Sequence, residues 1–186
     1  MTNGRTLHVL FVCTANVCRS PLAAGLFANH AHQLGMNVRV ASASTDSETR
    51  PMHPTTLKLL SDRGIHLSRT ESQPLTDRLV EGADLVLAMT RDHANAIVGR
   101  FPTARQRTFV LGHFTALIAE LDHHETVDSW LRAANQASTA RGLDDQWDII
   151  DPNGKSSRVY QEVDAELDFA TGWLASELAN VAPAGS

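Results

Sequence analysis

Near its start the chain carries an apolar run, Leu7-His8-Val9-Leu10-Phe11-Val12, which breaks directly into Cys13-Thr14-Ala15-Asn16-Val17-Cys18-Arg19-Ser20-Pro21. A short, mostly apolar run has the character of a strand buried on both faces, as in a parallel sheet. Ser20 before Pro21 reads as an N-cap with proline at the first helical position. Leu22, Leu26, Phe27 and Leu34 then recur at helical spacing, and Gly35 can end the helix. A strand that turns at once into a helix cannot meet its neighbour through a hairpin. The next strand must return by a crossover, so this first unit commits the chain to a βαβ architecture.

The rest of the chain keeps that alternation. Asn37 to Ser42 reads as a second strand, and the polar stretch Ser44 to Arg50 leads to a helix from Pro54 to Arg63 stopped by Gly64. Thr76 to Glu81 is a short helical turn. Leu85 to Met89 is a buried strand, followed by a helix capped by Thr90 that ends before Pro102. Arg107 to Leu111 is a fourth strand. Ser157 to about Leu178 is a long final helix with Val159, Val163, Leu167, Ala170 and Leu174 toward the core. The expected fold is α/β: a small doubly wound sheet of about four parallel strands with helices on both faces. Its pocket should lie at the carboxyl ends of the strands, where Cys13 follows the first.

At 186 residues, with 42% apolar and 20% charged side chains, one ordinary globular domain is expected, spanning 1–181 with a frayed tail at 182–186. A formal charge of −5 gives no support for a nucleic-acid surface. No stretch approaches a membrane span, and no long apolar leader segment precedes the first strand. Two cysteines five positions apart make a poor structural framework, which favours a reduced, cytoplasmic setting.

The unusual segment is 113–147, a helical insertion. Phe114, Leu117, Ile118 and Leu121 form one helical face; Val127, Trp130, Leu131 and Ala134 form another. Asp122 to Thr126 separates them, and Gln136 to Asp145 reads as a flexible polar loop. This hairpin either shapes a pocket rim, offers a surface to a protein partner, or is a packed elaboration.

A cysteine followed six residues later by an arginine can take a phosphoryl group onto sulfur. Cys13 as a thiolate is the nucleophile, and the planar fork of Arg19 can hold two phosphate oxygens. Between them Thr14, Ala15, Asn16, Val17 and Cys18 are enough to arch the chain round a tetrahedral anion, their N–H groups forming a nest continued by Arg19. The helix that follows adds the positive end of its dipole. Asn16 tolerates left-handed backbone angles and suits a bracing role. The Ser20 hydroxyl can cap the helix while pointing its proton at Cys13. Cys18 is either a small buried side chain or a reversible disulfide partner that protects Cys13 from over-oxidation. Late in the chain, Pro152 biases Asp151 toward an extended conformation, and Asn153-Gly154 makes a turn before the final helix. A carboxylic acid there can overhang a phosphate held by the first loop and protonate the leaving oxygen.

The segment Cys13, Asn16, Cys18, Arg19, Ser20, Pro21 resembles the active-site signature of the low-molecular-weight protein tyrosine phosphatases, departing from it at Ala15, where glycine is usual. The resemblance extends through Ala83-Asp84-Leu85-Val86-Leu87-Ala88-Met89 and Asp151-Pro152. It implies hydrolysis of phosphotyrosine in proteins or peptides through a phosphocysteine on Cys13, with Asp151 as general acid and no cofactor. It also implies that Ser42-Ala43-Ser44 braces Asn16. The stretch from Pro74-Leu75-Thr76 through Thr90 is similar to bacterial protein-arginine phosphatases, which tend to carry threonine where this chain has Val17. Tyrosine-directed members commonly place aromatic residues after Asp-Pro, where this chain has Asn153 and Gly154. A related arsenate reductase needs two further cysteines near the third strand, where Ala88 and Met89 stand. Gly154-Lys155-Ser156 resembles the end of a Walker loop but lacks its first glycine, with Ile149 in that place. His123-His124-Glu125 is the densest cluster of metal-ligand types, yet adjacent helical residues diverge, so no metal is expected.

Overall fold

The computed structural model describes residues 6–121, 126–142 and 144–181. Four parallel strands form one sheet in the order β2-β1-β3-β4: β1 Leu7–Cys13, β2 Val38–Ser44, β3 Leu85–Ala88 and β4 Thr108–Val110. The first strand therefore sits inside the sheet and is paired on both sides, which explains why it carries apolar residues at successive positions. Val9, Phe11 and Cys13 point to one face; Leu10 and Val12 point to the other.

The first face is covered by α1 Arg19–Gln33, α5 Leu111–Ile118, α6 Val127–Arg141 and the long α7 Ser157–Val181. The second is covered by α3 Asp77–Glu81 and α4 Arg91–Arg100, through Val80, Ala94 and Ile97. The remaining helix, α2 Pro54–Ser61, packs beside α1 through Leu60. Helices on both faces of a parallel sheet match the expectation from sequence. Thr90 caps α4 with its hydroxyl, as read, and Thr76 does the same for α3 at the start of the expected helical turn.

Four readings need correction. Ser20 is not a cap: α1 begins at Arg19, two residues before Pro21, its N-cap is Cys18, and no side chain caps it. Leu34 lies past the end of α1 and is 46% exposed, because the turn at Gly35 (φ 67°) takes the chain away from the core. The second helix stops at Ser61, two residues early, with Gly64 (φ 72°) in the turn that follows. Gln136 to Arg141 is helix rather than loop. The capping box of Thr126 and Ser129 starts α6, and Ala134 is fully buried beneath polar neighbours that face water. The helix gives way at Gly142 (φ 76°).

The described part of 113–147 is built into the core. Phe114 meets Phe109 and Trp130 at ring-centroid distances of 4.5 and 5.3 Å, and Leu117, Ile118, Leu131 and Ala134 are buried with them. No helix among the described residues is long and apolar enough to cross a membrane. The tail at 182–186 and the cluster His123-His124-Glu125 lie outside the described residues.

Candidate active site

Cys13 ends β1, and the chain leaves the sheet there between two paired neighbours. Ser44 of β2 stands beside Cys13, and Val12 carries the Met89 amide from the end of β3. The loop Thr14 to Cys18 is thus anchored at the carboxyl edge of the sheet. Among the described residues, the backbone N–H groups of Thr14, Ala15, Asn16 and Val17 donate to no carbonyl or side chain of the chain. Four consecutive amides of this kind are suited to an anion.

The loop is held open from outside by side chains. Asn16 is the one non-glycine among the described residues with a positive φ, 53°, and it is 1% exposed. Asparagine takes this conformation more readily than most residues. Its Nδ2 donates to Ser42 Oγ at 2.8 Å and to Ser20 Oγ at 2.9 Å, while its Oδ1 accepts from Gln73 N at 3.1 Å. Ser44 Oγ donates toward the Thr14 carbonyl at 2.6 Å. Ala15 keeps a negative φ, so its replacement of the usual glycine carries no left-handed strain.

Because Asn16 donates to Ser20 Oγ, the serine proton is left for the Cys13 sulfur, 3.0 Å away. Ser20 therefore serves both the Cys13 sulfur and the loop brace. Cys13 and Cys18 are both buried free thiols. Burial pushes the Cys18 thiol up from its usual range, with the Tyr160 hydroxyl 3.4 Å away pulling in the opposite direction. Tyr160 in turn stacks on His53 at 5.0 Å, and His53 N donates to the Val17 carbonyl, so the far side of the loop rests on α7.

Arg19 opens α1 and is 5% exposed. Its Nη2 meets Asp151 Oδ2 at 2.7 Å and its Nη1 donates to the Ile149 carbonyl at 3.0 Å. These contacts bring the late Asp-Pro segment onto the first loop. The acid loop is tied at two further points: Ile149 N donates to Met89 O at 2.9 Å, and Asp148 Oδ1 accepts the Arg91 amide at the start of α4. The Asp151 carboxyl itself stays 49% exposed, and its Oδ1 accepts from Asn153 N. Asn153 and Gly154 are exposed and form the turn into α7, with Gly154 at φ 72°. Lys155 and Ser156 lie in that same exposed turn, ahead of α7.

His93 was missed in the sequence. It lies on α4, 79 positions from Thr14, and its Nε2 is 2.8 Å from Thr14 Oγ1. Burial, and then the Arg19 charge, hold it at about 4. The signal that could have found it is positional: the first turn of a helix following a strand's carboxyl end faces the pocket in this architecture.

The comparisons agree with this geometry. A family profile described as low molecular weight phosphotyrosine protein phosphatase matches residues 8–136. The chain is 32% identical over 173 residues to a protein-arginine-phosphatase of Bacillus subtilis, spanning 92% of this chain and 97% of that one. It is 34% identical over 105 residues to a probable low molecular weight protein-tyrosine-phosphatase of Ralstonia solanacearum, spanning 56% and 70%. Among solved structures, an arginine phosphatase, YwlE, in a variant with a phosphorylated active-site serine, superposes with a TM-score of 0.72 at 31% identity, covering 92% of this chain and 95% of that one.

Proposed function

This chain belongs to the low molecular weight phosphotyrosine protein phosphatase family, and from that premise we propose that it hydrolyses phosphotyrosine in proteins through a phosphocysteine on Cys13, with Asp151 as general acid and then general base. One observation carries the reading: Arg19, six residues after the nucleophile, holds Asp151 from the far end of the chain at 2.7 Å. The late carboxyl thereby stands against the same loop as the proposed clamp and sulfur.

In the first step the Cys13 thiolate attacks phosphorus, the P–O bond to the phenol breaks, and the Asp151 carboxyl gives its proton to the leaving oxygen. Equatorial oxygens are held by Arg19 and the amides of Thr14 to Val17. A phosphate dianion competes with Asp151 for the guanidinium, which frees the carboxyl for the leaving group. In the second step Asp151 takes a proton from water, the new P–O bond forms, the S–P bond breaks, and the thiolate returns. That an arginine phosphatase of this fold has been solved with its active-site serine phosphorylated supports a covalent intermediate at the nucleophile's position.

Residues 1–181 act as one catalytic domain, in which 113–147 supports the acid loop. Its substrates are phosphorylated proteins or peptides. The two free thiols suit a reducing cytoplasm.

Phosphoarginine is the second reading, because the B. subtilis arginine phosphatase matches 92% of the chain and the Ralstonia tyrosine phosphatase 56%. Val17 speaks for the aryl substrate: partly buried beside the pocket, it offers an apolar surface and no hydroxyl for a guanidinium. The absence of an aromatic side chain at Asn153 and Gly154 predicts a weak KM for it. The test is turnover of matched phosphotyrosine and phosphoarginine peptides by the unmodified chain, Val17→Thr and Cys13→Ser. Cys13→Ser should be inactive on both while still binding phosphate. The unmodified chain should prefer phosphotyrosine, and Val17→Thr should gain on phosphoarginine. A preference of the unmodified chain for phosphoarginine would overturn the substrate assignment, and normal turnover by Cys13→Ser would overturn the covalent mechanism.

A further inference from the structure

Neither the nucleophile nor the acid uses Thr14 or His93, yet Thr14 Oγ1 and His93 Nε2 are 2.8 Å apart beside the anion loop. His93 is 7% exposed, while Thr14 is open to solvent. On the other side of the ring, Nδ1 lies 2.8 Å from Thr90 Oγ1. That oxygen already accepts the His93 amide at 3.3 Å, as the cap of α4.

The proton positions follow from this arrangement. A hydroxyl oxygen accepting the cap hydrogen bond still has its own proton to give, and the short contact to Nδ1 receives it. Nδ1 is then an acceptor. A neutral imidazole carries one N–H, so it sits on Nε2 and is donated to Thr14 Oγ1. The opposite tautomer would make Thr90 Oγ1 accept twice and turn its proton to solvent, whereas the Nε2–H form pairs all three groups within the chain. The ring is neutral near pH 7 because burial and the Arg19 charge oppose its protonation, outweighing Asp151 and Asp92, which favour it. With His93 donating to Thr14 Oγ1, the threonine's own proton points elsewhere.

We propose that His93 is a positioning residue that fixes Thr14 as a hydroxyl donor to a phosphoryl oxygen held in the loop. The inference rests on the phosphatase reading above and adds a side-chain donor beside Arg19. No proton is transferred; Thr14 keeps its hydrogen and the ring stays neutral.

The test is calorimetric binding of inorganic phosphate, which does not depend on turnover. Thr14→Val should weaken binding about tenfold, the usual scale for one hydrogen bond to a charged group, and Thr14→Ser should restore it. His93→Asn, too short to reach Thr14, should match Thr14→Val. His93→Gln, which can place an N–H near the imidazole Nε2, should retain most of the affinity. The double variant Thr14→Val/His93→Asn should be no worse than either alone, since both remove the same interaction. Nitrogen NMR of the unmodified protein should show the Nε2–H tautomer at His93, a readout that needs no variant to fold. Wild-type affinity in Thr14→Val, multiplying losses in the double variant, or an Nδ1–H tautomer would overturn the inference while leaving the phosphatase reading intact. An unmodified chain that binds no phosphate would overturn both.

Discussion

Asp151 is the residue whose contacts say most about how the site works. Its Oδ2 is on Arg19, a contact that a bound phosphate would replace, and its Oδ1 is on the Asn153 amide, which keeps the half-exposed carboxyl aimed when Arg19 lets go. A group aimed in this way helps most where the leaving oxygen most needs a proton. Asp151→Asn is therefore expected to slow alkyl or unactivated aryl phosphates by ~10²–10⁴-fold and a nitrophenyl phosphate much less. Comparing the two substrate classes in steady-state kinetics checks this, and equal slowing of both would assign Asp151 to holding the loop. Asn16 makes a different point at the same scale. One side chain satisfies Ser20, Ser42 and Gln73, so the left-handed residue of the loop is also the one that ties it to β2 and its neighbours.

At the scale of elements, the acid loop depends on a close approach that only glycine allows. A Cβ on Gly112, in the first turn of α5, would stand 2.8 Å from the Trp147 carbonyl, four residues before Asp151. Both partners are held, since Trp147 packs on His113 and Asp148 holds the start of α4. Gly112→Ala should displace the acid loop, cost about 1–3 kcal/mol of stability, and reproduce in milder form the leaving-group dependence of Asp151→Asn. Thermal unfolding and the same substrate pair would show it. The elements also separate what the sequence could reveal from what it could not. Cys13 to Pro21 was legible because strand, loop and helix are contiguous and local rules act on neighbours. The Thr90 cap and the helical turn at Thr76 to Glu81 were legible for the same reason. The true extent of α6 was hidden, because Gln136, Ser138 and Thr139 look like a loop until Ala134 and Trp130 find a core to bury against. His93 was hidden because its partner lies 79 positions away. The contact of Ser20 with Cys13 was legible, but its cap was a misreading, because the lone pair meant for the helix accepts from Asn16 once the loop has folded.

The whole molecule places the proposed catalytic groups at one edge of a sheet whose two faces are closed by separate apolar clusters. A titrating group held in such a frame is linked to global unfolding. His93 is depressed from 6.5 to about 4, so between those values the unfolded chain binds a proton that the native chain refuses. Stability should rise with pH across that window and fall as pH drops through it, by at most ~3 kcal/mol from this group. Denaturant unfolding at pH 4.5 and 7 would measure the difference, and His93→Gln should remove this part of it. The sheet order also has a consequence in time. Cys13 lies on the first of the four strands in chain order, whereas both partners of Arg19 come from residues 149 and 151. During translation the Cys13 sulfur emerges well over a hundred residues before Asp151, the proposed proton donor. On the mechanism proposed above, the growing polypeptide until then carries a nucleophile without its acid, and a ribosome-bound fragment should not complete the cycle.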